Sequence, residues 1–400
     1  MNWFKSVIFN SKTIILIFIM FAIAASVQSL NGTKVYEEGG NAYNRYNNYT
    51  VFENSFYHLK EGKDLYIAYP EEHWDLFKYS PSFSVFFSIF TIFPDWLGVN
   101  LWNIFNALIL LFAVYYIPKL SREQKALVLL LLFIELITSM QNAQSNGLMA
   151  GLLILGFALL ERDKYFLATL SIVFSVFIKL FGIVGFALFL FYPQKWKLAT
   201  LTLFWSLFFL VLPLIYINLN QYDIILSSYG ELLFNDHIVS DGLSVMGLIK
   251  SWFGLEIIKW LVVATGIIVF LIPLWRFKTY KNFNYRLLCL SSVLIWVVIF
   301  NHKAESSTFV IAMSGVSLWF VSSNKSRINI ALFIIAFIFT SLSVTDLFPR
   351  FVREEFVNAY NLKVLPCILI WFKIVYDMLM LSRTERLSQP EKVKVEASTT

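Results

Sequence analysis

The sequence has little charge and little cysteine. Asp, Glu, Lys and Arg make up 14% of its 400 residues, 58% are hydrophobic, and the mean hydropathy is +0.67. A soluble protein of this size with one core does not have this composition. Both cysteines, Cys289 and Cys367, fall in apolar segments, so we expect them to be packing residues that carry no information about redox compartment.

The sequence also lacks the common motifs of metal sites and of phosphate-binding loops. No His-Glu-x-x-His, Cys-x-x-Cys or paired acidic motif occurs, and no two of the four histidines have metal-ligand spacing, so we expect no metal site. Phosphate-binding glycine loops of the Walker and dinucleotide types are absent too, and we expect no cofactor. The net charge of +6 is explained by Lys and Arg in the loops predicted to face the cytoplasm, so a nucleic-acid partner is not expected.

Apolar runs long enough to cross a bilayer recur almost to the C-terminus. They predict an all-α, polytopic integral membrane protein with about twelve transmembrane helices. The first run, residues 13–25, also fits a signal peptide, but we expect it to be retained as a span.

The distribution of basic residues predicts the orientation. With both termini in the cytoplasm, every inner loop is enriched in Lys and Arg. This holds only if the apolar run Ser82–Phe93 does not cross. It is short for a span and Pro81 and Pro94 bracket it, so we interpret it as a surface helix on the outer membrane face.

One transmembrane domain, residues 1–381, is therefore predicted. Its first outer loop, 31–97, carries surface helices, a second outer loop covers 218–255, and the polar tail 382–400 is expected to be disordered in the cytoplasm. We expect a monomer in a bacterial inner membrane, with membrane lipids around it and its active site facing outward.

Charged side chains near the spans are candidate functional groups. Lys179, in the sequence FIKLFG, lies far from the inner loops and is predicted to meet an anionic ligand; the alternative is a helix-end lysine that reaches water. Glu135 and Asp377 are weaker candidates of the same kind, and the alternative for each is a pair within the bundle. Outer carboxylates, a lysine at a buried edge and a surface helix together suit transfer from a lipid-linked phosphate donor to a hydroxyl.

Five stretches contain motifs that occur in this order along the chain. They are NYTVFENSFYHLKEGKDLY and FKYSPSFSVFF in the first outer loop, AQSN at 143–146, SVFIKLFG with Lys179, and NHKAES at 301–306. Together they resemble the motifs of glycosyltransferase family 87, in the GT-C class of membrane glycosyltransferases, whose characterised members use polyprenyl-phosphate mannose. Residues in register with the family in the first loop are Val51, Phe52, Gly62, Asp64, Tyr66, Tyr79 and Pro81.

The resemblance implies a GT-C-type bundle and transfer of a hexose, expected to be mannose, to a glycan or glycolipid acceptor. It also departs from the family at one position, because the family's catalytic Asp aligns with Asn48. An amide cannot accept the proton at neutral pH. Carboxylates that could replace it are Glu53, Asp64, Glu71, Glu72 and Asp75, of which we favour Glu53 and then Asp75.

The segment 61–81 is predicted to cap an outward-facing cleft, where its carboxylates and Lys78 meet the sugar and phosphate. The alternative is an aromatic belt at the membrane interface with incidental charges. Residues expected to bind the donor phosphate or the substrate are Lys179, Lys78, Tyr66, Tyr79, Gln144, Asn146, His302, Lys303 and Glu305.

Two other functions stay open from the sequence. A transporter or lipid flippase would also use a lysine within the bundle, although no inverted repeat is evident. A non-catalytic subunit of an envelope assembly would explain Asn48. Convergence of Glu53 and Lys179 on one outward cavity would favour the transferase, and a polar path through both faces would favour the transporter.

Overall fold

A computed structural model describes residues 10–35, 42–235 and 240–381; the predicted tail 382–400 lies outside these ranges. The described chain is helical apart from one short antiparallel pairing, in which β1 (Thr33–Val35) lies beside β2 (Ala42–Asn44). The α-helices are α1 Ser11–Leu30, α2 Asn47–Glu61, α3 Pro81–Phe87, α4 Asp95–Tyr116, α5 Arg122–Gln141, α6 Asn146–Leu160, α7 Tyr165–Ile178, α8 Lys195–Val211, α9 Leu219–Asn235, α10 Val245–Phe253, α11 Lys259–Leu274, α12 Phe283–Ile299, α13 Phe309–Ser322, α14 Arg327–Ala336, α15 Arg350–Val352 and α16 Leu365–Met380.

Helices of other pitch extend or separate these elements. They are the 3₁₀ helices Leu180–Phe191, Leu212–Ile215, Phe277–Thr279 and Ser306–Thr308, and the π-helical segments Phe337–Leu342 and Arg353–Asn358.

The described helices support a membrane protein, but they do not confirm twelve spans. Three are long and apolar enough to cross: α1, α4 and the continuous segment Lys195–Ile215. The remaining apolar helices are shorter than a typical span of about 20 residues. These shorter ones are Asn146–Leu160, Tyr165–Ile178, Leu180–Phe191, Lys259–Leu274, Phe283–Ile299, Ser306–Ser322 and Arg327–Leu342.

The run Ser82–Phe93 is too short a helix to cross. Ser80 caps α3 by accepting a hydrogen bond from the Phe83 amide, and α3 ends after seven residues, which span only about 10 Å. The turns that follow leave Ile89 and Ile92 exposed. The run is therefore a short helix followed by turns, and its place on the outer membrane face stays a prediction.

An aromatic cluster joins α2, α3 and α4 beneath the first outer loop. The Phe52 ring lies 5.1 Å from Phe83, 5.2 Å from Phe87 and 5.9 Å from Trp102, in edge-to-face arrangements that aromatic rings favour. Tyr79 stacks on Phe83 at 4.7 Å. The cluster therefore fixes the end of segment 61–81 against the bundle.

Helices α1 and α5 run in the same direction, and their ends define one face of the bundle. The Arg122 guanidinium donates to Ser11 at their starts, and Gln141 donates to Gln28, at 2.6 Å, at their ends. The face at Gln28 and Gln141 is the one that the charge pattern predicts to be outer.

Candidate active site

A polar cavity of about 620 Å³ opens at this face of the bundle. It is formed by the end of α1, the start of α2, the segment before α3, and the turn between α5 and α6. Its lining residues are Gln28, Ser29, Arg45, Asn47, Asn48, Trp74, Asp75, Gln141, Asn142, Gln144 and Glu305.

The turn between α5 and α6 is held from three sides. The Trp102 indole donates to the Ala143 carbonyl at 2.9 Å, the Asn103 amide to Met140 at 3.0 Å, and the Asn48 amide to Asn142 at 2.8 Å. Ala143 itself has φ +48, a left-handed conformation that a side chain disfavours. These contacts hold the turn so that Gln144 lines the cavity.

Lys179 lies just behind Gln144, where α7 ends. The residue is extended, and the chain then enters the 3₁₀ helix Leu180–Phe191. Its amine donates to Asn146 at 2.7 Å and to Gln144 at 3.5 Å, and it lies 5.4 Å from the centre of the Tyr79 ring. Burial lowers the pKa of Lys179 to about 8, partly opposed by the charge of Glu305.

Asp75 provides a half-buried carboxylate in the cavity wall beside the start of α2. The backbone amide of Trp74 donates to the Asn47 side chain at 3.0 Å, which joins the two segments. The Oδ1 atom of Asp75 accepts from the amine of Lys78, at 2.8 Å, and from the Leu76 amide. Among the described hydrogen bonds none uses Oδ2, which leaves that oxygen for a ligand.

Glu305 is the second carboxylate in the lining. Its side chain caps the 3₁₀ helix Ser306–Thr308 by accepting from the Thr308 amide. It is exposed, and its charge acts on both Lys179 and Tyr79. Glu305 therefore adds negative charge to the cavity near the lysine.

His302 and Lys303, also predicted to bind substrate, are not among the described residues that line the cavity. They belong to the turn that leads to Glu305, where the Lys303 amide donates to the Asn301 side chain at 3.0 Å. The amide of Leu243 donates to Ala304 at 2.8 Å. His302 and Lys303 therefore lie in this turn and help to shape it.

Asp64, Tyr66 and Tyr79 connect loops around the cavity. The Tyr66 hydroxyl donates to the Tyr79 carbonyl at 2.9 Å, and its ring stacks on Tyr229 of α9 at 5.0 Å. Ser228, also on α9, donates to Asp64 at 2.7 Å. The Tyr79 hydroxyl donates to Gln144 at 3.3 Å. The segment 61–81 is thus fixed both to the second outer loop and to the cavity wall.

Glu53, the carboxylate favoured from the sequence, lies on another side of α2. Five residues after Asn48, it is rotated by about 140° around the helix, and it is not among the described lining residues. Burial, with a further contribution from the charge of Asp95, raises its pKa to about 7. Lys179 bonds to the lining residue Gln144, whereas no described hydrogen bond joins Glu53 to the lining.

Arg45 is a lining residue that the sequence reasoning missed. It follows β2 and is exposed. The sequence did contain a signal for a functional cation here, because Arg45 is the single Lys or Arg between Lys34 and Lys60 in the first outer loop. Within residues 10–35, 42–235 and 240–381, no group of three His, Cys, Asp or Glu side chains could hold a metal ion.

A second, apolar cavity of about 680 Å³ follows α7 along the bundle. Its outer end is formed by Val85 and Phe86 of α3, and its opposite end by Tyr116 and Lys164. Phe174 is its outermost residue on α7, about 7.5 Å along the helix axis from Lys179. Lys179 therefore bonds to Gln144 in the wall of the polar cavity, and the apolar groove ends about 7.5 Å away along α7. The other lining residues are Phe112, Leu152, Leu155, Leu159, Leu167, Leu170, Ser171, Phe208, Phe209 and Leu212.

The site of this helical membrane protein is thus a polar cavity lined by carboxylates and amides, with a lysine bonded to Gln144 in its wall. The profile of glycosyltransferase family 87 matches residues 77–300, which is more than half of the chain. The chain belongs to glycosyltransferase family 87, as the resemblance in its motifs indicated, and by family it is a membrane glycosyltransferase. No curated protein matches it.

The matched range includes Lys78, Tyr79, Gln144, Asn146 and Lys179. Asn48, Asp75 and Glu305 lie outside it, so their roles depend on the geometry of the cavity.

Proposed function

We propose that the protein transfers a hexose, mannose in the first instance, from a polyprenyl-phosphate donor to a hydroxyl of an extracytoplasmic glycan or glycolipid. The observation that carries this proposal is that Lys179 bonds to Gln144 in the wall of the polar cavity, while the apolar groove ends between one and two helical turns away on α7. A lipid-linked sugar phosphate has the same order of parts: a polar sugar, an anionic phosphate and a long apolar chain.

In this arrangement Lys179 binds the donor phosphate. Its amine has three N–H bonds, and two of them point to Asn146 and Gln144, so one is left for a phosphate oxygen. As the bond between sugar and phosphate breaks, negative charge builds up on the leaving phosphate, and a fixed cation stabilises it. The prenyl chain occupies the groove along α7.

Asp75 acts as the general base. It accepts the proton of the acceptor hydroxyl while that oxygen forms a bond to the sugar, and the prenyl phosphate departs with the electrons of the broken bond. Asp75 is suited to this because it lines the cavity beside Asn48, where the family has its Asp. Glu305 and Arg45 bind sugar hydroxyls on the other walls.

We place the protein in a bacterial inner membrane, as a monomer with cytoplasmic termini and the cavity facing outward. The location of the cavity at the end of α1 and α5 supports this orientation, because basic residues are enriched at the opposite ends.

The test is transfer of label from radiolabelled polyprenyl-phospho-mannose into a lipid extract of the host, by the purified protein in detergent. We expect Asp75→Asn to reduce turnover about 100-fold or more, as loss of a general base does. Glu53→Gln is the matched control, a carboxylate from the same outer loop that is not in the cavity lining, and it should stay within about threefold of the wild type.

Equal losses in both variants would remove Asp75 from the role of base. No transfer from any polyprenyl-phosphate sugar by a folded protein that binds the lipid would overturn the proposed reaction and favour a non-catalytic or transport role.

A further inference from the structure

An ion pair is completely buried behind the cavity. The Lys363 amine lies 2.9 and 3.0 Å from the two carboxylate oxygens of Glu135 on α5, and the side chains are 2% and 0% exposed. A third bond from the same amine, at 2.9 Å, goes to the hydroxyl of Ser306. The backbone carbonyl of Lys363 accepts from Thr340 at 2.8 Å, which fixes the residue in place.

Stability alone is a weak reason for such a pair. The free energy needed to remove two charges from water is about as large as the free energy gained from their attraction. Apolar residues of the same volume therefore often stabilise a core equally well. In a membrane bundle, buried charged residues are uncommon and usually serve function. The bond from Lys363 to Ser306 indicates what this pair does.

Ser306 begins the 3₁₀ helix that forms one wall of the site. Glu305, which lines the cavity, caps that helix. The next residue, Ser307, accepts a hydrogen bond from the Asn146 amide at 3.0 Å, and the oxygen of the same Asn146 side chain accepts from Lys179 at 2.7 Å. An unbroken series of contacts therefore runs from Glu135 to Lys179.

We infer that the Glu135–Lys363 pair is a positioning element of the active site: it fixes the turn at residues 305–308 and, through Asn146, holds the amine of Lys179 at the donor phosphate. The role presupposes the proposed transfer reaction. Neither residue of the pair touches the substrate.

The test uses Lys363→Met in the full-length protein, with Arg286→Met as matched control. Arg286 forms a separate ion pair with Glu161, with Nη2 and Oε2 2.8 Å apart, and neither residue contacts the cavity lining among the described contacts. Both substitutions remove the cation of a buried pair. Only the first removes contacts that lead to Lys179.

The first readout is the reactivity of Lys179 towards acetic anhydride as a function of pH, measured by mass spectrometry without any donor. The groups that face its amine are Glu305, Lys78, Tyr79, Gln144 and Asn146. Burial lowers its pKa to about 8. When the turn loosens and water enters, the midpoint should rise by about one pH unit, a tenfold change in proton affinity.

The second readout is binding of polyprenyl-phospho-mannose at pH 7, which should weaken about tenfold or more in Lys363→Met. Arg286→Met should lower the unfolding temperature but leave the midpoint and the affinity unchanged. An unchanged midpoint in Lys363→Met, or an equal shift in Arg286→Met, would overturn the positioning role.

Lys363→Met leaves Glu135 buried without its partner and could fail to fold. The double variant Glu135→Leu with Lys363→Met removes both charges, and we expect it to fold and to show the same raised midpoint. A wild-type midpoint in this folded protein would refute the inference. If the midpoint shifts as expected but the wild type transfers no sugar from any donor, only the proposed reaction fails, because the labelling needs no donor.

Discussion

Donor binding should weaken as the pH rises through about 8, because it requires the protonated form of Lys179. The proposed donor, polyprenyl-phospho-mannose, is a phosphodiester whose single charge does not titrate near neutrality, so we expect Lys179 to set this dependence. With a pKa of about 8 in the free protein, the amine is mostly protonated at pH 7. Binding to an anion raises that pKa, so above pH 8 the complex must take up a proton.

The size of the effect follows from this equilibrium. With a midpoint near 8, the apparent Kd should double at about pH 8 and rise about tenfold by pH 9, since each pH unit above the pKa lowers the protonated fraction tenfold. Lys179→Met should weaken binding at pH 7 by roughly 10- to 150-fold, the value of one hydrogen bond to a charged group. Lys179→Arg keeps its charge to above pH 12, so its Kd should be constant to pH 9.

The Kd of the wild type, Lys179→Met and Lys179→Arg can be measured by equilibrium binding of tritiated polyprenyl-phospho-mannose in detergent, between pH 6 and 9.5. A Lys179→Met variant that binds like the wild type at pH 7 would refute the assignment of the phosphate site. The same loss of affinity with pH in Lys179→Arg would show that another group titrates.

Three further predictions concern the surroundings of this site. Asn48→Asp in an Asp75→Asn background should recover only a small part of the lost transfer, measured with the labelled donor, because it returns a carboxylate to the cavity wall but removes the hydrogen bond to Asn142; recovery to the wild-type rate would contradict the role of Asn48 in holding the turn. Ala143→Gly should raise the free energy of unfolding by about 1 kcal/mol, since φ is +48 there, and a fall in the unfolding temperature would contradict this. Leu170→Trp should narrow the apolar groove and weaken long-chain donors more than short-chain ones in competition binding; equal effects on both would remove the groove from the chain-binding role.

Local sequence signals predicted several parts of the structure correctly. Two prolines around the run Ser82–Phe93 indicated a short helix, and α3 ends after seven residues. Gly62, at φ +79 after the end of α2 at Glu61, is a local signal that the sequence analysis did not use. Lys179 was singled out because a cation there has no inner loop to explain it. Such features depend on a few neighbouring residues, and a sequence displays them directly.

The direction of side chains around a helix was predicted less well. Glu53 was favoured for its closeness to Asn48 along the chain, but five residues turn a side chain about 140° away. Helical periodicity would have favoured a residue three or four positions from Asn48. Asp75 reaches the cavity from another segment, through a hydrogen bond between Trp74 and Asn47 that no sequence spacing shows.

Contacts between distant segments were beyond the sequence altogether. For Glu135 and Asp377 the sequence left open a functional role or a pair within the bundle, and it named no partner for either. Asp377 pairs with Lys373, one turn away, which periodicity can suggest. Glu135 pairs with Lys363, 228 residues away, and only the packing of the folded bundle brings them together.

The amide at position 48 has a structural reason of its own. Asn48 donates a hydrogen bond to the Asn142 carbonyl and so helps to hold the turn from which Gln144 lines the cavity. An ionised Asp has no hydrogen to donate and would place a negative charge against that carbonyl. Because position 48 fixes the turn, the base of the proposed reaction must be another residue. The carboxylate of Asp75, in a segment bonded to the neighbouring Asn47, can do so without disturbing the turn.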